Sequence, residues 1–574
     1  MRRQDNPWLK AAQTIILQGM FAYPFYGLMV VNSKVQDIAG NIGLRAGGLA
    51  ALVILLGMGC SFYFCRKAVD FCISVPGSEE SISPGRACTK VLNSRRWIAC
   101  LRILIVLCFL SVIVCAFSPT IWLDEAFTLG LIRHDMADVI GLTAQDVHPP
   151  LYYLMLKMAE DLFSCVSGTF AFRAAVAKLF SAAAFAATAA LCWVKFRREE
   201  TKGFRELLVL CLFATTGILS QSIEIRMYGW ALFFVTGTYL YAKEVMDGGR
   251  GIKTWGPLVV FSVCSAYTHN YALISMGAVW LYLLIWVILK NRKEVKNWLM
   301  GGTATAVCYV PWLLVLMKQT SRVSENYWIS DINMGSIWSC VVYAFPFIFA
   351  VIPVVMLTIL QRKENRKELL YLLSGAAIPA MTFAVGVAVS VIICPILVNR
   401  YMVPGLFCLW ISVLMCWRRM HDRQKAIVAG IIVCGCVMFG AEFFIGERAE
   451  RQRTEESLAF FSALEKDSIV CVSDDEHVRD VVAAYMDDRE VYCVTDGRYT
   501  LRDLWQSVFP NLKVRNYEFI TEALRKGRTV YLMRANAEPD VSSWESVAVI
   551  DPLGEYFSIT PRVNVYRLSP RAVD

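Results

Sequence analysis

The stretch Trp122–Tyr153, WLDEAFTLGLIRHDMADVIGLTAQDVHPPLYY, is the one long polar interruption early in an otherwise apolar chain. It opens on the acidic pair Asp124 and Glu125, just after an apolar run. It closes on Asp146, His148 and the break Pro149-Pro150, before a second apolar run. Carboxylates beside a membrane face are costly unless they are paired or used, so this loop is where chemistry is expected and the rest of the chain is its frame.

Composition supports that frame. Of 574 residues, 56% are apolar and 18% charged, with a mean hydropathy of +0.48; the charged share lies below that of soluble domains. The apolar residues come in blocks long enough to cross a bilayer, which makes this a polytopic α-helical membrane protein. The net charge of +9 is scattered through short loops, where it sets orientation and does not form a nucleic-acid-binding face. The 20 cysteines show no metal-site spacing; Cys108, Cys115, Cys192, Cys211 and Cys264 sit inside apolar blocks as small hydrophobes. The first apolar block carries no cleavage site of signal-peptide type.

About thirteen spans are predicted, at 11–31, 46–66, 97–117, 172–194, 206–222, 227–243, 254–270, 272–289, 298–317, 336–360, 369–393, 402–417 and 426–446. With the N-terminus cytoplasmic, basic runs such as Lys195-Arg197-Arg198, Lys290-Arg292-Lys293 and Arg418-Arg419 all fall inside, and the outside loops carry few basic residues. A span at 151–165 would invert every later loop. That short run also contains Lys157, Glu160 and Asp161, so it is read as a helix lying in the interface, inside one external loop at 118–171. Three regions result: a two-span extension with its linker (1–96), the transmembrane unit (97–446), and a mixed, charged C-terminal region (447–574). In the last, SIVCVSDD (468–475), EVYCVTDG (490–497) and TVYLMRAN (529–536) read as strands and HVRDVVAAYM (477–486) as an amphipathic helix. The alternation predicts an extracytoplasmic α/β domain with a partly parallel sheet. Cys471 and Cys493 fall on neighbouring predicted strands and are candidates for a disulfide.

The acidic pair has two readings. It caps a helix after the span, or it supplies a general base with a second carboxylate that orients substrate or holds a cation. Asp146 and His148 likewise form a polar turn or a second arm of a site. Similar groups recur at predicted outer ends of spans: Glu224, Arg226 and Tyr228 in SIEIRMYGW, His269, Asn270 and Tyr271 in YTHNYA, Tyr327 and Trp328, and Arg400 and Tyr401 in LVNRYMVP. Glu224 and Arg226 could simply pair, and interfacial Tyr and Trp are common anchors. Taken together they describe an external cavity in which Arg226 and Arg400 clamp a phosphate near a carboxylate base.

The ordered set Asp124-Glu125-Ala126-x-Thr128, His148-Pro149-Pro150-Leu151-Tyr152-Tyr153, FRAAVAKLFSA (172–182), EIRMY (224–228), THNY (268–271) and NRYMVP (399–404) resembles the motifs of GT-C fold membrane glycosyltransferases of the glycosyltransferase 39-like group, which includes the bacterial protein-mannosyltransferase-like and aminoarabinose-transferase-like enzymes. The resemblance covers roughly 97–446. It implies transfer of a sugar from a polyprenyl-phosphate carrier to a cell-envelope glycan, lipid or protein on the outer face of the cytoplasmic membrane, usually with inversion. By the same resemblance Asp124 is the base and Glu125 its support. Arg226 and Arg400 would meet the lipid phosphate, and Asp146, His148, Tyr152, Glu224, Tyr228, His269, Tyr271 and Tyr401 would line the substrate site. No cofactor is required, and a divalent cation is left open. Ile223 stands where the family often has Gln, which puts that residue's contact in doubt. Rival readings are a lipid-linked polysaccharide ligase or polymerase, and a transporter of lipid-linked glycans; a transporter would spread ionisable residues along the span interiors, whereas here they gather at one end.

Overall fold

The computed structural model describes residues 91–92, 94–199, 201–323, 329, 332–344, 366–420, 422–496, 503–535, 539–556 and 563–571. The expected spans at 11–31 and 46–66, most of the 1–96 extension, residues 345–360 of the 336–360 span, and Tyr327 and Trp328 lie outside the described residues.

Six described helices are long and apolar enough to cross a membrane. They are α1 (Arg95–Ala116), α5 (Phe170–Lys195), α10 (Asn270–Lys290), α11 (Val295–Val323), α13 (Arg366–Ile392) and α15 (Asp422–Ser462), and they coincide with the expected spans at 97–117, 172–194, 272–289, 298–317, 369–393 and 426–446. Between α1 and α5 lie three shorter helices, α2 (Leu123–Leu131), α3 (Met136–Gln145) and α4 (Leu151–Phe163). At 13 residues α4 is too short to span. It buries Tyr152, Tyr153 and Leu156 while exposing Met158, Leu162 and Phe163, as an interfacial helix does.

The thirteen-span count is not reproduced among the described residues. The segment 206–222 is no continuous helix: α6 (Phe204–Leu210) ends, the chain turns, and α7 (Thr216–Leu219) leads into a 3-10 turn at Ser220–Ser222. Seven residues of helix cover only about 10 Å. The run is apolar because it is packed inside the bundle, with Leu207, Leu208, Leu210, Cys211 and Leu212 fully enclosed. It breaks near Gly217, where an added Cβ would lie 2.6 Å from the Tyr343 backbone. The expected spans at 227–243, 254–270 and 402–417 correspond to α8 (Tyr228–Met246), α9 (Ile252–Thr268) and α14 (Val403–Met415). α8 and α14 pack on each other, with α5, α9, α10 and α13 around them. α12 (Met334–Ala344) lies beside the 3-10 turn at Asn399–Met402.

α15 runs on for 41 residues, well past the apolar run, and delivers the chain to a six-stranded sheet. The strands are β1 (Ile469–Ser473), β2 (Val491–Val494), β3 (Leu512–Arg515), β4 (Val530–Arg534), β5 (Ala548–Tyr556) and β6 (Val563–Pro570), in the order β3-β2-β1-β4-β6-β5. The first four are parallel, and β6 and β5 add on antiparallel. Helices α16 (Glu476–Tyr485), α17 (Asp503–Val508) and α18 (Glu518–Arg525) make the crossovers. The partly parallel α/β domain is therefore present. The disulfide is not: Cys493 pairs in register with Val472 and Cys471 with Tyr492, so the two thiols face opposite sides of the sheet, and both are free.

The domain docks on the loop between α1 and α5. α16 packs on α2, and Gly130 of α2 leaves room for Phe509 and Val508, which an added Cβ would meet at 2.8 Å. Arg173 at the start of α5 bonds Asp487 at 3.0 Å.

Candidate active site

Five chain breaks meet at one end of the bundle. The first is the start of α2, which places Asp124 and Glu125 in its opening turn, where the helix dipole favours negative charge. The second is residues 146–150, where Pro150 is the N-cap of α4. The third is the turn 223–227 before α8. The fourth is His269, a single extended residue (φ −160°, ψ 142°) between α9 and α10. The last is the 3-10 turn at Asn399–Met402, with Pro404 in the first turn of α14.

At the centre, two guanidinium groups converge on one carboxylate. Arg400 Nη2 donates to Asp124 Oδ2 at 3.0 Å, and its Nε donates to the Tyr228 hydroxyl at 3.1 Å. The Arg400 guanidinium also lies 4.8 Å from the centre of the Trp122 ring, within cation–π range. Arg226 Nε is 3.8 Å from the same Asp124 oxygen. Arg226 Nη1 donates to the Asp124 carbonyl at 3.2 Å, the Thr128 hydroxyl at 3.2 Å and the Tyr153 hydroxyl at 3.3 Å. Arg226 is buried, while the Asp124 side chain keeps 22% of its surface exposed.

Glu125 has a different job from its neighbour. Its Oε2 accepts from the Trp122 amide at 3.1 Å and its Oε1 from the Ile225 amide at 2.8 Å. Both oxygens are thus used to fasten the 223–227 turn to the start of α2, and burial raises its pKa. Glu224 does not pair with Arg226, which turns to Asp124 instead. The Glu224 carbonyl accepts from Ser181 Oγ at 2.6 Å, and burial, with Glu125 nearby, pushes its carboxyl pKa up to about 8. Asp146 is likewise raised, to about 6, by burial, with Arg226 opposing.

The aromatic side is built on two histidines. His148 and His269 stack with ring centres 5.3 Å apart. Around His269 lie Tyr401 at 5.0 Å, Tyr228 at 5.3 Å and Tyr271 at 6.0 Å. His269 Nδ1 accepts the Tyr271 amide proton at 3.1 Å, which puts the ring hydrogen on Nε2. Burial, and then Arg226, hold His148 well below the usual imidazole range, so it stays neutral. The Tyr271 hydroxyl donates to the Ile396 carbonyl at 2.8 Å, and Asn270 Nδ2 donates to the Val147 carbonyl at 3.0 Å, tying 146–150 to the head of α10. Tyr152 is fully buried one step further out, 5.5 Å from Tyr153 between ring centres.

The described residues among those selected from the sequence thus form one contiguous cluster. Sequence reasoning passed over Trp122, adjacent to a selected position, and named Asn270 without giving it a role. It assigned no role to Lys178, whose Nζ donates to the Thr120 carbonyl at 2.6 Å; a lysine within an apolar span is itself the signal. Gln221 bonds the Tyr343 hydroxyl at 3.0 Å, and Ile223, at the position where a Gln was expected, is buried. Among the described residues no group of three or more His, Cys, Asp or Glu side chains is placed to hold a metal ion. A cavity of about 270 Å³ between α4 and the start of α5 includes none of these residues; of its cations, Lys157 pairs with Asp161 and Arg173 with Glu160.

No protein-family profile matches the chain, and no curated protein matches it by sequence. Solved structures do match by shape. ArnT from Cupriavidus metallidurans in the apo state superposes with a TM-score of 0.53 at 12% identity, covering 81% of this chain and 97% of that one. The same enzyme bound to undecaprenyl phosphate gives a TM-score of 0.56 at 12% identity, over 83% and 98%. The chain therefore shares the ArnT fold: a helical membrane unit with a C-terminal sheet domain.

Proposed function

We propose that the protein is a membrane glycosyltransferase that moves a sugar from a polyprenyl-phosphate carrier to an acceptor hydroxyl or amine at the face carrying α2 and the α/β domain, which the distribution of basic residues makes the extracytoplasmic one. The observation that carries the reading is the convergence of Arg226 and Arg400 on Asp124: two guanidinium groups share one oxygen of a partly exposed carboxylate. The ArnT fold supports it, since one of the matched structures holds undecaprenyl phosphate.

In the reaction, the acceptor oxygen or nitrogen attacks the anomeric carbon from the side opposite the phosphate. The bond between that carbon and the phosphate oxygen breaks, and its electron pair leaves with the polyprenyl phosphate. Asp124 takes the acceptor's proton. Arg400 and Arg226 stabilise the charge gained by the departing oxygen. A phosphate drawing on both guanidinium groups weakens their hold on Asp124, so donor binding itself frees the base. Glu125, with both oxygens engaged by backbone amides, positions and does not react. The isoprenoid tail contributes binding energy away from the reacting carbon.

The test is transfer of radiolabelled sugar from polyprenyl-phosphate carriers, in membranes holding wild type or Asp124→Asn at matched folded levels. The expected result is transfer by wild type and none by the variant. Equal transfer by both would remove Asp124 as the base. Movement of whole glycan blocks in place of single sugars would turn the reading toward a polysaccharide ligase.

A further inference from the structure

The connector between α1 and α2, residues 117–122, has no regular secondary structure, yet Ser118, Pro119, Thr120 and Ile121 are all buried. Irregular backbone out of reach of water needs partners, and here the connector's backbone and the Thr120 side chain find them on three separate elements. Lys178 of α5 donates to the Thr120 carbonyl. Thr454 of α15 places its hydroxyl 3.0 Å from that of Thr120. The third is Tyr485, the last residue of α16 in the C-terminal domain: its hydroxyl donates to the Pro119 carbonyl at 3.1 Å and accepts from the Ile121 amide at 3.0 Å. Its ring is buried against Phe170, 4.7 Å between centres. The next residue, Trp122, carries the face over which Arg400 lies and the amide bound by Glu125, and Asp124 follows in the first turn of α2.

We infer that Tyr485 is a positioning residue, through which the α/β domain holds the start of α2 and so sets where the Asp124 carboxylate stands. The domain then belongs to the reaction machinery. The inference rests on the proposed role of Asp124 as base. Two features separate it from ordinary packing. One hydroxyl grips two backbone groups of the same short connector, and that connector leads directly into the helix that bears the base. Tyr485→Phe keeps the ring and its packing but strands a buried carbonyl and a buried amide, freeing the connector to shift. A displacement on the order of 1 Å at a reacting group can cost roughly a hundredfold in rate.

The control is Asp487→Asn. Asp487 lies on the same seam, bonding Arg173 and pairing with Arg133 at 3.5 Å; among the described residues its side chain bonds those arginines and not 117–122. In the full-length protein, Tyr485→Phe is expected to speed hydrogen exchange in peptides covering 117–124 and to lower kcat about 10- to 100-fold, with KM for an undecaprenyl-phosphate-linked sugar unchanged. Asp487→Asn is expected to leave both connector exchange and kcat near wild type. Unchanged connector exchange in Tyr485→Phe overturns the inference, as do equal losses in both variants, which would mean that the whole seam merely holds the fold. If Asp124→Asn is inactive and Tyr485→Phe works at the wild-type rate, this inference alone falls. If Asp124→Asn transfers as well as wild type, the base assignment falls and takes this inference with it.

Discussion

Two arginine–aspartate clusters in this molecule are built with opposite balances. In the α/β domain, Arg479 meets two carboxylates: Nη1 bonds Asp474 at 2.8 Å, and Nε and Nη2 bond Asp480 at 2.9 and 3.3 Å. All three side chains are nearly sealed from solvent, with Asp480 at 0% exposure. At the candidate active site, two guanidinium groups share one carboxylate oxygen, and that carboxylate is the more exposed partner. The first cluster is closed and leaves no cation short of an anion. The second is open: two cations share one carboxylate oxygen that solvent reaches. Glu224, raised to about 8, adds no negative charge there at neutral pH, while Asp146, raised only to about 6, is a further carboxylate facing Arg226. A buried ion pair is weak evidence of function by itself; what distinguishes the second cluster is that two cations share one carboxylate within reach of solvent.

The largest effect should come from the open cluster. Arg400→Gln is expected to lower kcat/KM about 100- to 1,000-fold and to weaken binding of undecaprenyl phosphate, read by titration of the purified protein. Near wild-type binding would mean that Arg400 serves only to hold Asp124 and Tyr228, and the contrast between the clusters would lose its basis. In the closed cluster, Asp480→Asn should do the converse. Removing one partner of a buried pair costs about 3 kcal/mol, seen as a lower midpoint of thermal unfolding, while transfer per folded molecule is retained. A variant of normal stability but lowered transfer would put Arg479 in the functional class after all.

Much of this was legible because membrane solvation makes polar interruptions conspicuous. Asp124, His148, Arg226, His269 and Arg400 each sit where an apolar run stops, and the structure gathers all five. What stayed hidden depends on phase and on partners distant in sequence. Glu125 is adjacent to Asp124 and chemically alike, yet its oxygens go to the Trp122 and Ile225 amides, one of them a hundred residues away. Cys471 and Cys493 sit on paired strands, but a register one residue from alignment puts them back to back. The run 206–222 has a span's composition because the bundle interior and the lipid are equally apolar, and hydropathy does not distinguish them. The expected end of the last span at 446 marks where lipid contact would stop; α15 continues to Ser462, with pairs such as Arg451–Glu455 along its exposed surface. Tyr485, in a helix predicted from its amphipathic pattern, gave no sign that its hydroxyl would reach back to Pro119 and Ile121.

The finest test of the comparison is the pH dependence that the open cluster should carry and the closed one should lack. Below about pH 8 Glu224 is neutral; as pH rises through that value it ionises beside Asp124 and Glu125, and the new negative charge offsets part of the positive charge proposed to receive a phosphate. Transfer should therefore decline on the alkaline side of about pH 8, measured as kcat/KM across the range in which the protein stays folded. The same shift acts on stability. Between the ordinary value of 4.5 and about 8 the folded chain keeps a proton that the unfolded chain has released, so the group's contribution becomes progressively unfavourable as pH rises through that window. Glu224→Gln cannot ionise. It should flatten both slopes while changing transfer little at neutral pH, where glutamine resembles the protonated acid in shape and polarity. Retention of the alkaline limb in that variant would assign the titration to another group and leave Glu224 as no more than a wall of the site.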